Sequence, residues 1–412
     1  MYQILSGDCL ESMRQLPDNS IDAIVTDPPY GINFMGKKWD YDVPSTEIWQ
    51  ECLRVLKPGG HLLAFAGTRT QHRMAIRIED AGFEIRDMIA WVYGSGFPKS
   101  MDISKAIDKA KGEDREVIGE MVGWGARSAE EGKVAYGDFA GKWQLTKPAS
   151  DEAKHWEGWG TALKPALEPI TMARKPFKGT TVNNILTYGV GGINIDACRV
   201  PAEPMRVVPP NATGGRSGGM MGTPIPHKGS IPHDDGRFPA NLIHDGSQQV
   251  LDLFPDSGPS KSGGITYQKD SQHFTGKKPH ARTGHDDNGG STARYFYCAK
   301  TAVSDRDDGC ENLELRNHMR VNAPRANEDE KHSTLHQNNH PTVKPTELMR
   351  YLCRLVTPIG GTILDPFMGS GSTGRGAILE GFQFIGCELS DEYVLIADAR
   401  IKAAVAKYSK GE

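Results

Sequence analysis

The chain has 412 residues, 38% of them hydrophobic and 24% charged, with a formal net charge of −4. That is enough chain for two or three domains; no apolar run reaches the roughly eighteen residues of a membrane span, and Met1–Asp8 lacks the basic and apolar segments of a signal peptide. The slight acidity does not advertise nucleic-acid binding, which depends on where the basic residues sit; the seven scattered cysteines contain no Cys-x-x-Cys pair and argue against a zinc site or a disulfide framework, so a reducing cytoplasm is the expected home.

In chain order, Ile4-Leu5 followed by Gly7-Asp8 reads as a short strand ending in an acidic turn, with a helix over 10–16. Ile21–Thr26 is β-branched and apolar, a buried strand that delivers Asp27-Pro28-Pro29-Tyr30 at its carboxyl end. Ser45-Thr46-Glu47 opens a helix with Ile48, Cys52, Val55 and Leu56 on one face, and Lys57-Pro58-Gly59-Gly60 stops it. His61–Ala66 is a continuous apolar strand, 71–81 a helix and 83–93 another strand. Such alternation implies a parallel sheet covered by helices on both faces.

The rhythm breaks at Gly94. Up to Pro165 only 103–110 has a convincing helical pattern, and Glu168–Arg174 reads as one more strand. Glycine and proline are dense through 209–236, with islands of order expected at 192–200, 238–254 and 293–299. Order resumes at His340. Thr346 is expected to cap a helix lined by Leu348, Met349, Leu352, Leu355 and Val356. Thr362–Asp365 is a strand, Pro366–Gly374 a glycine-rich turn into a helix over 375–380, Phe384–Glu388 the next strand, and 391–405 the last helix.

Two stretches carry chemistry. In Asp27-Pro28-Pro29-Tyr30 the prolines stiffen the turn and leave its carbonyls free, Asp27 adds a carboxylate and Tyr30 a flat π-face. That set suits a planar amino group, with acceptors on its two N–H protons and a ring against the heterocycle; an ordinary Pro-Pro turn is the plainer reading. The turn after Asp365 has Gly369 and Gly374 at P-loop spacing, but Arg375 and Gly376 stand where lysine and a hydroxyl residue belong, which weakens a nucleotide-triphosphate reading. A strand, a glycine turn, a helix and then Glu388 ending the next strand are closer to a dinucleotide-type fold, where an acid accepts the ribose hydroxyls. A solvated strand-end acid remains the plainer reading of Glu388 taken alone.

Asp27-Pro-Pro-Tyr30, Asp365-Pro-Phe-x-Gly-Ser-Gly-Ser-Thr373 and His340-Pro-Thr-Val-Lys-Pro345 occur together. Jointly they are specific: the chain resembles the amino-group DNA methyltransferases that use S-adenosylmethionine, in the beta-class order with the Asp-Pro-Pro-Tyr half first. The resemblance implies an α/β, Rossmann-like class I methyltransferase fold, a mostly parallel seven-stranded sheet, circularly permuted, with a loop-rich inserted recognition region. It implies a catalytic half over 1–93, an insertion of unassigned role over 94–164, a further core strand within 165–175, a target-recognition region over 176–336 and a cofactor half over 337–412. By the same resemblance Asp8 contacts the adenine of the cofactor, Glu388 the ribose, Asp365, Phe367, Gly369 and Gly371 shape the cofactor turn, and Thr342 and Lys344 lie near the methionine carboxylate. Asp27, Pro28, Pro29 and Tyr30 receive a base flipped out of double-stranded DNA. No metal and no cysteine nucleophile is required.

Asp at the first position of the tetrapeptide leans toward adenine N6, with cytosine N4 the alternative. Methylation of RNA or of a protein glutamine, a non-catalytic DNA-binding relic and a fused nuclease rank lower. The family also admits a homodimer and a cognate restriction endonuclease. Trp91 is a second candidate for the base pocket, although a core role suits it better. Lys261, Lys269, Lys277, Lys278, Arg282, Arg294 and Lys300, beside Tyr267, Phe274 and Tyr295, are candidates for phosphate contact or simply for a solvated loop.

Overall fold

The computed structural model describes residues 2–32, 40–96, 100–122, 142–201, 236–258, 266–267, 279–280, 289–300, 302, 305–318 and 334–411. Nine strands form its main sheet: β1 (Tyr2–Ser6), β2 (Ile21–Thr26), β3 (Leu56–Phe65), β4 (Glu84–Val92), β5 (Leu167–Arg174), β6 (Leu242–His244), β7 (Tyr297–Cys298), β8 (Thr362–Asp365) and β9 (Gln383–Glu388). Six helices cover it: α1 (Cys9–Arg14), α2 (Thr46–Val55), α3 (Gln71–Asp80), α4 (Thr346–Val356), α5 (Ser372–Leu379) and α6 (Asp391–Lys410).

The order across the sheet is β1-β9-β8-β2-β3-β5-β4-β6-β7. All neighbours run parallel except β5, which is antiparallel to both β3 and β4. The C-terminal pair β8–β9 is wedged between β1 and β2: Leu364 pairs with Ile24 on one side, and Leu5 pairs with Cys387 on the other. The two halves of the sequence therefore interleave in one sheet. Seven of the nine strands correspond to the expected set; β6 and β7 extend it from within 176–336.

Alternation along β2 explains the two cores. Ala23 and Val25 face the layer of α4, α5 and α6, packing in one cluster with Leu348, Met349, Leu352 and Ile401. Ile24, between them, faces the opposite layer, with Met13 of α1, Trp49 and Cys52 of α2 and Met74 and Ile78 of α3; Ile21 joins that second cluster out of phase, beyond the register shift between Ile21 and Ala23. A strand buried on both faces needs apolar residues on both, and this one is buried throughout.

The structure departs from the sequence reading in several places. The Lys57–Gly60 stretch ends α2 but also belongs to β3, which contains Pro58 and both glycines. A register shift lets β3 carry them, because Ile21 pairs with Leu56 whereas Ala23 pairs with His61. Gly59 has φ +83°, and a Cβ there would collide with the Asn184 amide. Thr346 is not a cap: Pro345 holds that position, and the Thr346 hydroxyl is buried with no hydrogen-bond partner. Within 94–164, besides the helix Ile103–Lys111, a hairpin pairs Val117–Val122 with Lys142–Thr146. Arg294 stacks on Tyr295 and donates to the Gly290 and Ser291 carbonyls, so its guanidinium has partners within the fold. Lys261, Lys269, Phe274, Lys277, Lys278 and Arg282 lie outside the described residues. Among the described residues no helix is long and apolar enough to cross a membrane.

Candidate active site

Parallel strands bring their carboxyl ends to one edge, and a ligand crevice forms there. That edge carries Asp8 after β1, Asp27 after β2, Asp365 at the end of β8 and Glu388 at the end of β9. β8 and β2 are neighbours, so Asp365 and Asp27 sit at adjacent strand ends. The Thr26 hydroxyl donates to Asp365 Oδ1 at 2.6 Å, and the Phe367 N–H donates to the same oxygen at 3.1 Å. Burial pushes the Asp365 carboxyl up to about 6, against those donors and with Asp27 adding to the rise.

The glycine turn is built for close approach. Gly369 has φ +53°, and a Cβ there would come within 2.7 Å of His340 Nε2. Gly371 has φ +76°, and its Cβ would meet the Ala397 backbone of α6 at 3.0 Å. The Gly369 N–H donates to Glu388 Oε2 at 2.9 Å, and the Ser390 N–H to Oε1 at 2.8 Å. Burial raises the Glu388 carboxyl above its ordinary range in spite of these donors. Each oxygen keeps a lone pair for a further donor, which fits a ribose diol. Asp8 caps α1, accepting at Oδ1 from the Leu10 and Glu11 N–H groups at 2.9 and 3.3 Å. Phe367 packs edge-on against Trp49, with ring centroids 6.2 Å apart. A cradle of backbone, two strand-end acids and one aromatic wall suits an adenosine-bearing ligand.

Arg400 of α6 braces this turn from below. Although fully buried, it donates to the Ser370 carbonyl at 2.6 Å and, through its other terminal nitrogen, to the Asp305 carbonyl at 2.7 Å. Burial pulls its guanidinium down to about 10.

Beside the cradle stands a compact polar cluster. Tyr30 Oη donates to Asp27 Oδ1 at 2.8 Å and lies 3.1 Å from Glu168 Oε2. Lys344 Nζ donates to Asp27 Oδ2 at 2.6 Å and lies 3.2 Å from Tyr30 Oη and 3.3 Å from Glu168 Oε2. Tyr93 Oη donates to the other Glu168 oxygen at 3.3 Å. The Lys344 ammonium also sits 5.0 Å from the centroid of Phe65 and 5.5 Å from that of Tyr30. Water reaches little of this: the Lys344 and Asp27 side chains are 9% and 17% exposed.

Two carboxylates share one ammonium here, and proton affinities rise accordingly. Burial lifts the Asp27 carboxyl, and Glu168 adds to the rise, with Lys344 offsetting it in part. Burial pulls the Lys344 ammonium down, but Asp27 and Glu168 outweigh it and hold it above its ordinary value.

The turn is fixed from behind by Asp40. Its Oδ1 accepts from the Tyr30 and Gly31 N–H groups at 2.7 and 2.9 Å, and its Oδ2 from Ile32 at 3.3 Å. The Tyr30 carbonyl accepts from the Thr70 hydroxyl at 2.6 Å. Asp40, Glu168 and Tyr93 escaped the sequence reading; the only signal for Glu168 was an acid opening an otherwise apolar strand. Trp91 is 4% exposed and belongs to the core. Thr342 is exposed, its N–H 3.4 Å from His340 Nδ1. Lys344, expected near a ligand carboxylate, ends on Asp27, Tyr30 and Glu168.

A family model described as DNA methylase matches residues 21–183 and 255–399, well over half of the chain. Over 237 residues the chain is 24% identical to the Type II methyltransferase M.HindIII of Haemophilus influenzae, covering 46% of this chain and 64% of that protein. It is 36% identical over 109 residues to the Type II methyltransferase M.BglII of Bacillus subtilis, covering 23% of this chain and 30% of that one. These matches span less than two thirds of either relative's length. Among solved structures, the PvuII DNA methyltransferase, described as cytosine-N4-specific, aligns over 100% of this chain and 95% of its own at 13% identity and a TM-score of 0.41. The sheet is that of the class I methyltransferases. The chain belongs to the N6/N4 DNA methylase family, which uses S-adenosylmethionine.

Proposed function

We propose that the chain methylates the exocyclic amino group of a base flipped out of double-stranded DNA, adenine N6 in preference to cytosine N4. The observation that carries this reading is the adjacency of the Asp27 turn and the Asp365 glycine turn at neighbouring strand ends, joined by the Thr26–Asp365 hydrogen bond.

S-adenosylmethionine supplies a sulfonium-activated methyl group. Glu388 would hold the ribose of this cofactor, Asp8 its adenine amino group, and the Phe367–Gly371 turn its methionine part. The chain's task is then to align the acceptor nitrogen with that methyl. An exocyclic base nitrogen is a poor nucleophile, because its lone pair is delocalised into the ring. Asp27 and the Pro28 carbonyl accept its two protons, favour a pyramidal nitrogen and disperse the positive charge that develops there. Pro29 keeps the turn rigid, and Tyr30 supplies the ring against which the base lies. Target reading falls to 176–336, and Asp at position 27 favours adenine. The Type II methyltransferases among the relatives support a place beside a restriction endonuclease, with a homodimer as a further expectation.

The test is to incubate the protein with labelled S-adenosylmethionine and DNA from an unmethylated host, then digest to nucleosides. Label in N6-methyl-2′-deoxyadenosine is the expected result. Label in N4-methyl-2′-deoxycytidine would overturn the base assignment, and unlabelled DNA would overturn the function.

A further inference from the structure

Both oxygens of Asp27 are engaged, one by the Tyr30 phenol and one by the Lys344 ammonium. A base amino group that takes Asp27 as acceptor competes with both of them for the carboxylate's lone pairs. A donor that gives way is not left alone, because Tyr30 Oη and Lys344 Nζ each also lie within reach of Glu168 Oε2, at 3.1 and 3.3 Å. A phenol has one proton, so Tyr30 serves either carboxylate but not both at once. Lys344 is nearly buried, and leaving it without a counter-ion would be costly; Glu168, already within 3.3 Å, removes that cost. The two carboxylates thus compete for the same two donors, and the second makes the first available.

We propose that Glu168 is a positioning residue for methyl transfer, taking over Lys344 and Tyr30 when the target base claims Asp27. This rests on the reading of Asp27 as the acceptor for the base amino group. Asp27 is faced by Tyr30 from its own turn, by Lys344 from the segment before α4, by Glu168 from β5 and by Asp365 from β8; Tyr93 at the end of β4 acts through its bond to Glu168.

Glu168→Gln keeps the side-chain volume and an acceptor oxygen but removes the charge. Single-turnover transfer to DNA with saturating S-adenosylmethionine should be followed across pH in wild type and variant, with cofactor affinity by calorimetry as the check on folding. The variant should bind cofactor as the wild type does, while its plateau rate falls roughly tenfold or more. Its acid limb should move to lower pH, since a negative charge has been taken from beside Asp27. A merely structural residue would lower the rate and leave the limb in place. In a Lys344→Met background, adding Glu168→Gln should lower the rate by a clearly smaller factor than it does alone, because one of the two donors it serves is gone. Where the wild type methylates DNA, fully multiplicative effects, or a Glu168→Gln limb that stays where the wild type's lies, overturn this inference alone. Absence of transfer by the wild type would remove the reading beneath it as well.

Discussion

Thr26 hydrogen-bonds Asp365 at 2.6 Å across 339 positions of sequence. The bond ties the last residue of β2, which presents Asp27, to the last residue of β8, which opens the glycine turn. It is a register pin between strands from the two ends of the sequence. Thr26→Val should cost about 1–3 kcal/mol in denaturant unfolding, since the Asp365 carboxyl then loses a buried donor. An unchanged unfolding midpoint would show that the pin contributes nothing.

Asp365 itself gives a pH-dependent test. Burial raises its carboxyl to about 6 in the folded protein, above the unfolded value of about 3.9. Its contribution to stability is therefore fully present below the unfolded value and is lost as pH rises through about 6. Asp365→Asn escapes this loss. The stability of the variant relative to wild type should improve by about 2–3 kcal/mol between pH 4 and pH 8. A difference independent of pH in thermal melts would contradict the assignment.

Asp27→Ala should lower methyl transfer roughly 100-fold or more, because an acceptor for charge developing in the transition state is lost. Lys344 retains Glu168 as a counter-ion, so the fold and the cofactor cradle survive. Filter-binding transfer assays paired with calorimetry on S-adenosylmethionine read both effects. Full transfer by the variant would end the catalytic assignment.

Gly369→Ala should destabilise the protein by about 1–3 kcal/mol and weaken cofactor binding. The positive φ is one cause and the His340 ring in the path of the new methyl is the other. Gly360→Ala provides the control, since Gly360 also has positive φ but open space around it. Equal losses of cofactor affinity in the two variants would show that the contact with His340 is immaterial.

Asp40→Asn replaces one of two acceptor oxygens by a donor that faces backbone N–H groups. The turn at Tyr30–Ile32 should loosen, at a cost of about 1–3 kcal/mol. Transfer should slow while affinity for S-adenosylmethionine is kept, because Asp40 holds the Tyr30, Gly31 and Ile32 N–H groups of the Asp27 turn. A fall in cofactor affinity equal to the fall in rate would argue against so local a role.

The strand-to-turn units of β2 and β8 were legible in the sequence because their residue types leave few alternatives: apolar strands, paired prolines, glycines at close approaches. Strands β6 and β7 were not, since three and two residues are too short to show a period. Lys344 was legible as a cation in the site, but its partners were not; a long side chain goes to whichever anions the fold gathers around it. Glu168 was invisible for the same reason. Its nearness to Asp27 comes from β5 running antiparallel beside β3, and no spacing along the chain encodes that. Asp40 needed the path of the chain after Tyr30, which a polar stretch of sequence does not give.

The wedging of β8 and β9 between β1 and β2 also constrains how the protein is made. Among the described residues β1 has no strand neighbour other than β9, so it waits for that partner on the ribosome while more than three hundred residues are translated. β2 meanwhile shows a bare edge beside Asp27, and such edges invite pairing with other chains. A chain cut short before β9 would leave both edges bare, so the sheet, and the strand-end acids it brings together, can close only after β9 has been made.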